Sequence, residues 1–145
     1  MQAISLWQPY ASLIAAKVKP FETRHWPAQS HRIGQRIAIH AALRRPTQAE
    51  VAELFDDVAD ALGLCHWHQR IPYGAVVCTA TLIGCHRVTH WNGSKPVLGK
   101  RGEIEDDGFG DYSTGRYCWE LADVEVFDPA IPAKGTQGWW TWDNT

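Results

Sequence analysis

A chain of 145 residues with 45% hydrophobic and 21% charged residues can bury one core and is too short for two, so a single globular domain over residues 1–145 is expected and wholesale disorder is excluded. The formal net charge of −2 hides a segregation: residues 1–45 carry seven bases against Glu22 alone, a net of +6, whereas residues 103–145 carry ten acids against Arg116 and Lys134, a net of −8. That excludes a uniformly basic nucleic-acid coat and leaves either a basic face with an acidic back or pairing between the two halves.

The start, Met1-Gln2-Ala3-Ile4-Ser5, has neither a basic signal region nor a long apolar one. No later run approaches the roughly 20 apolar residues of a membrane span, so a cytoplasmic protein with no membrane partner is expected. Pro9 suits a first helical turn, and Ala11, Leu13, Ile14, Ala15 and Ala16 supply an apolar stripe, which predicts a short helix over Pro9 to Lys17. Pro20 stops it, and Phe21 to Trp26 alternates like an extended segment before a polar loop from Ala28 to Ile33. Arg36 to Ala41 has strand period, with Ile37 and Ile39 on one face and Arg36 and His40 on the other, so His40 is expected to point away from the apolar core.

Thr47-Gln48-Ala49-Glu50 has the capping-box pattern, and Val51, Leu54, Phe55, Val58 and Leu62 recur at helical spacing until Gly63. Its acids Glu53, Asp56, Asp57 and Asp60 form a solvated face. Ala75 to Ile83 is a β-rich run that Gly84 bulges or ends. Thr89 to Gly115 reads as a long polar loop, a length associated with lids and binding loops. Tyr117 to Ala122 alternates again, Val124 and Val126 extend it, and Trp139 to Trp142 closes the sheet. Short strands separated by turns, with two helices inserted, define an α+β class: a small mixed β-barrel decorated by helices.

Cys65, Cys78, Cys85 and Cys118 contain no CxxC pair and give no disulfide framework. In Cys65-His66-Trp67-His68 and Cys85-His86 only Cys65 and His68 have the spacing of paired zinc ligands, so neither metal nor cofactor is expected. Eight Trp both build cores and stack on flat ligands, and position decides each case. Trp7 and Tyr10 either stack on a base or cap the barrel as core. Trp139, Trp140 and Trp142 are expected to pack.

In an extended segment Glu22, Arg24 and Trp26 share one face, and a bend near Pro20 brings Lys19 to Glu22. A carboxylate between two cations stays ionised and can accept from the exocyclic amine of cytosine or, beside a lysine, assist proton transfer. A structural salt-bridge cluster is the alternative. The hydroxyls and guanidinium of Gly110-Asp111-Tyr112-Ser113-Thr114-Gly115-Arg116 suit phosphate or sugar contacts, or form only a turn into a strand.

Ser5-Leu6-Trp7-Gln8-Pro9-Tyr10-Ala11, Lys19-x-x-Glu22-Thr23-Arg24-x-Trp26 and Ile37-Ala38-Ile39-His40-Ala41-Ala42 resemble the ASCH domain family, named for activating signal cointegrator homology. So do Gly74-Ala75-Val76-Val77, Gly110-Asp111-Tyr112-Ser113-x-Gly115-Arg116-Tyr117-x-Trp119-Glu120-Leu121 and Ile131-Pro132-x-Lys134-Gly135. The resemblance implies a PUA-like β-barrel binding RNA or a modified nucleoside in a cationic cleft beside the first helix. Lys19, Glu22, Arg24, His40 and the Tyr112 to Arg116 loop would line that cleft, with Trp7, Gln8, Tyr10 and Ser113 as further contacts. Some small members resembling this family deacetylate N4-acetylcytidine with a Lys, a Thr three residues later and a distant Glu. Lys19 matches that lysine, while Glu22 stands where the Thr would be. Others have been proposed to cleave RNA. A metal-independent hydrolase using Lys19 and Glu22 is therefore the rival to binding, and a protein-interaction module is the third reading.

Overall fold

The structure is a computed structural model and describes residues 1–143. In chain order the elements are β1 (Gln2–Leu6), α1 (Tyr10–Ala15), β2 (Phe21–Arg24), β3 (Arg36–Ala41), α2 (Gln48–Leu62), β4 (Ala75–Arg87), β5 (His90–Asn92), β6 (Lys95–Val97), β7 (Tyr117–Pro132) and β8 (Trp139–Thr141), with single 3-10 turns at Ser30–Arg32, Trp67–Gln69 and Gly99–Arg101. The order β2-β7-β4-β3-β1-β8 makes one six-stranded sheet, and β5 pairs with β6 alone. The α+β class is the one expected. No helix among the described residues is long and apolar enough to cross a membrane.

The chain forms two compact units, each assembled from separated stretches. The first takes Met1–Val18, Arg36–Ala80 and the residues from Val124 on; the second takes Lys19–Gln35 and Thr81–Asp123. Strands β4 and β7 run through both.

In the first unit β1 lies parallel to β3, with Ser5 opposite His40, and antiparallel to β8, with Ala3 opposite Trp140. Ala3, Ala38, Val76 and Trp142 form a core against which Phe127, Ile131, Ala133 and Trp140 pack. Helix α1 is shorter than its stripe predicts because Lys17 turns left-handed, φ 64°, and Val18 N–H returns to the Leu13 carbonyl while Lys17 N–H bonds Ile14. This is a Schellman ending with lysine in the place glycine usually takes. Helix α2 carries the capping box as predicted: Thr47 Oγ1 accepts from Glu50 N–H and the Glu50 carboxylate from Thr47 N–H. It stops at Gly63, φ 66°. Trp67 is fully buried and donates its indole N–H to the Phe55 carbonyl at 3.1 Å.

In the second unit β2 pairs antiparallel with β7, setting Glu22 opposite Trp119 and Arg24 opposite Tyr117. The other face of β2 supplies Phe21 to a core of Val88, Leu98, Ile104, Tyr112 and Cys118. Two expectations fail here. Strand β4 continues past Gly84, whose missing side chain makes room for a neighbour: a Cβ there would stand 2.8 Å from His86 Nε2. The stretch expected to be one long loop contains the hairpin β5–β6, closed by Gly93-Ser94 with Gly93 at φ 62°, a two-residue turn that matches right-handed strand twist.

Candidate functional site

Lys19, Glu22, Arg24, Tyr112, Ser113 and Arg116 fall in the second unit; Trp7, Gln8, Tyr10 and His40 fall in the first.

In the second unit Lys19 is 2% exposed. Its ammonium donates to the Phe21 carbonyl and stands 3.9 Å from Glu22 Oε1, an ion pair too long for a hydrogen bond. A buried cation with so little compensation is costly to hold and invites an anion or acceptor. The β2–β7 register then builds the next layer. Arg24 and Glu22 leave the same face as Trp119, and the Arg24 guanidinium carbon lies 5.0 Å from the Trp26 ring and 5.4 Å from the Trp119 ring. The two indoles meet edge to face at 5.0 Å. Burial lowers the Arg24 pKa, Glu22 opposes that shift and the neighbouring Arg116 reinforces it.

Arg116 donates to the Thr23 carbonyl at 3.2 Å, and its Nε is 3.6 Å from Asp111 Oδ2. That buried Nε has no hydrogen-bond partner among the described residues. Asp111 is held below the usual carboxylate range by the hydroxyl and the N–H of Ser113, with Arg116 adding to this. Tyr112 is a pillar of the core: 2% exposed, edge-on to Phe21, its hydroxyl donating to Asp107 Oδ2 at 2.7 Å. Burial and Asp107 raise its pKa. Gly110 must stay small, because a Cβ would meet the Tyr112 ring at 2.7 Å.

In the first unit Trp7 is 55% exposed, so it does not act as core; the Arg44 guanidinium lies 3.9 Å over its ring and is itself clamped by Glu50 at 2.6 Å. Gln8 is 1% exposed and its amide is engaged within the fold: Nε2 donates to Ser12 Oγ and the Pro72 carbonyl, both at 2.7 Å, and Oε1 accepts from Ser12 N–H. Tyr10 is half-buried at the start of α1. His40 departs from the expectation. It is 3% exposed, because both faces of β3 are covered and alternation along a doubly covered strand no longer separates inside from outside.

Cys65, Cys78, Cys85 and Cys118 are free thiols, and burial pushes Cys78 and Cys118 up to about 12. Among the described residues no group of three or more His, Cys, Asp or Glu could hold a metal ion. The two charge-segregated ends of the chain meet in an ion pair of the first unit, Arg36–Glu125 at 3.7 Å. Other pairs are local, as in Arg44–Glu50 and Lys95–Glu105, or fall within the second unit, as in Arg101–Glu120 at 3.1 Å. The indole clamp on Arg24 was half legible: Trp26 is two residues on in an extended segment, but Trp119 required the strand pairing.

A mixed sheet with two helices defines an α+β domain, and its second unit sets a buried lysine beside a glutamate and an indole-clamped arginine on β2. The sequence profile of the ASCH domain matches residues 4–130, and the chain belongs to that family, a PUA-like family often linked to RNA binding. Among solved structures it is similar to the crystal structure of ASCH from Zymomonas mobilis, at 20% identity and TM-score 0.49, over 90% of this chain and 72% of that one. A Tyr-to-Phe mutant of the same Zymomonas mobilis protein is similar at 20% identity and TM-score 0.44, over 84% of this chain and 68% of that one. No curated protein matches.

Proposed function

We propose that this ASCH domain binds RNA or a modified nucleoside at the cluster of Lys19, Glu22, Arg24 and Arg116, and that it does so in the cytoplasm. The observation that carries this reading is the Arg24 guanidinium, held against Trp26 and Trp119 with the unsatisfied Nε of Arg116 beside it. Two guanidiniums fixed at a partly buried position suit phosphate oxygens, and Glu22 suits an exocyclic amine such as that of cytosine. Fluorescence anisotropy with labelled single-stranded RNA tests it. Two phosphate contacts make the affinity fall about sevenfold between about 50 and 200 mM salt, and Arg116→Ala weakens binding and flattens that dependence. No binding to RNA, cytidine or N4-acetylcytidine refutes the reading and leaves a protein-interaction module.

One observation favours a hydrolytic version at the same residues: the Lys19 ammonium, excluded from water, 3.9 Å from Glu22. A lysine and a carboxylate at that separation can pass a proton between attacking and leaving groups, on an N4-acylated cytidine or an RNA phosphodiester. Incubation with each substrate, with and without Lys19→Met, separates turnover from binding.

A further inference from the structure

Ser5 and His40 are register partners on the parallel pair β1–β3, so their side chains leave one face together. Ser5 Oγ lies 2.9 Å from His40 Nδ1, and His40 Nε2 lies 2.8 Å from the Ala133 carbonyl oxygen. A carbonyl only accepts, so Nε2 carries the hydrogen, Nδ1 keeps the lone pair of the neutral ring, and the Ser5 hydroxyl donates to it. Trp140 donates its indole N–H to Ser5 Oγ at 2.9 Å, with its ring edge-on to His40 at 5.2 Å. The hydroxyl therefore stands between an acceptor for its proton and a donor to the charge left behind.

Two further features hold this arrangement. Burial lowers the His40 pKa, against the opposing pull of the Ala133 carbonyl, and keeps the ring in its basic form. Gly135 approaches so closely that a Cβ would stand 2.6 Å from His40 Cε1 and 2.9 Å from Ser5 Oγ. Ser5 itself stays partly exposed where His40 does not. Nucleophile, base and orienting acceptor follow in the order that activates a hydroxyl.

We infer that Ser5 is a nucleophile activated by His40, and that the first unit carries an acyl-transfer centre for esters and activated amides in addition to the cationic cluster of the second. Ser5 Oγ bonds to the acyl carbon while its proton passes to His40 Nδ1. The bond to the leaving alcohol or amine then breaks and that group takes the proton. Water attacks the acyl-Ser5, giving one proton to Nδ1; the carboxylic acid leaves and Ser5 regains its hydrogen. The centre uses no residue of the RNA-binding cluster, so it stands or falls independently of that reading.

A fluorophosphonate probe tests it, since attack by Ser5 expels fluoride and leaves a stable P–O bond. With the full chain, mass mapping is expected to place the label on Ser5, and Ser5→Ala abolishes it. His40→Gln slows labelling at least about 100-fold, and Trp140→Phe slows it while keeping the ring. In the unmutated chain the rate falls as pH drops through the lowered His40 pKa, beneath the ordinary imidazole value of about 6.5, following protonation of one group. No label on Ser5 of the folded protein overturns the inference. So does a labelling rate indifferent to pH, or to His40→Gln in a variant that keeps its cooperative melt.

Discussion

Replacing Arg24 by methionine keeps a long, flexible, apolar stem between Trp26 and Trp119 and removes only the guanidinium. The losses include two cation–indole contacts, at 5.0 and 5.4 Å, each worth about 0.5–1 kcal/mol, and the attraction to Glu22. What is relieved is the burial of a charge beside Arg116, the first cause of the lowered Arg24 pKa. Exchanging a buried ion for an apolar group of similar volume is often neutral or stabilising. The net change in folding free energy should stay within about 2 kcal/mol, a Tm shift of no more than about 4–8 °C for a chain of this size. Binding behaves differently. A hydrogen bond from a charged donor to phosphate contributes about 1.5–3 kcal/mol, so RNA affinity should fall about 10- to 150-fold. Differential scanning fluorimetry and anisotropy on the same preparations measure both. A Tm loss well beyond about 8 °C with RNA affinity intact would mean that Arg24 is a structural strut, and the reasoning would fail.

The His40 pKa is lowered on folding, so the unfolded chain binds the extra proton. Its contribution to stability is complete above the unfolded value of about 6.5 and is lost as pH falls toward the folded value, by at most about 1.4 kcal/mol per pH unit; His40→Gln should remove that slope in urea titrations, and an unchanged slope would contradict it. Gly135→Ala drives a methyl into His40 and Ser5 and should cost about 1–3 kcal/mol by thermal melt, since backbone must move to admit it. In a native thiol titration with a disulfide reagent, exposed Cys65 should react fast, half-buried Cys85 more slowly, and Cys78 and Cys118 only on unfolding; four fast thiols would refute their burial.

What the sequence made legible follows what is local. Strand β3 was bounded residue for residue, since Arg36 to Ala41 alternates between two turn signals. The capping box at Thr47 and the stop at Gly63 are read from within one helix. The Lys19–Glu22 ion pair was visible as spacing around Pro20. Non-local facts were hidden. His40 looked like a polar-face residue because the cover on that face comes from Ala133, Gly135 and Trp140, about a hundred residues away in sequence. Trp119 joined the Arg24 cluster only through the β2–β7 register, and Ser5 met His40 only through the parallel pairing of β1 with β3. Gly84 was read as a bulge or a strand end, and the strand does not end there, because a glycine that clears a neighbouring ring reads the same as one that breaks a strand. Gly93-Ser94 carried a hairpin signal that the surrounding polar residues masked.

The interleaving of the two units orders their birth on the ribosome. Every residue of the second unit has been synthesised once Asp123 is made, whereas the first waits for Trp139–Thr141 to pair with β1 and for Trp142 to reach Ala3 and Ala38. Strand β1 is therefore made long before its β8 neighbour, and closing so long a span is slow. The nascent chain holds the segments of the second unit before those of the first, whose Ser5–His40 pair stays uncovered until Trp139–Trp142 are made.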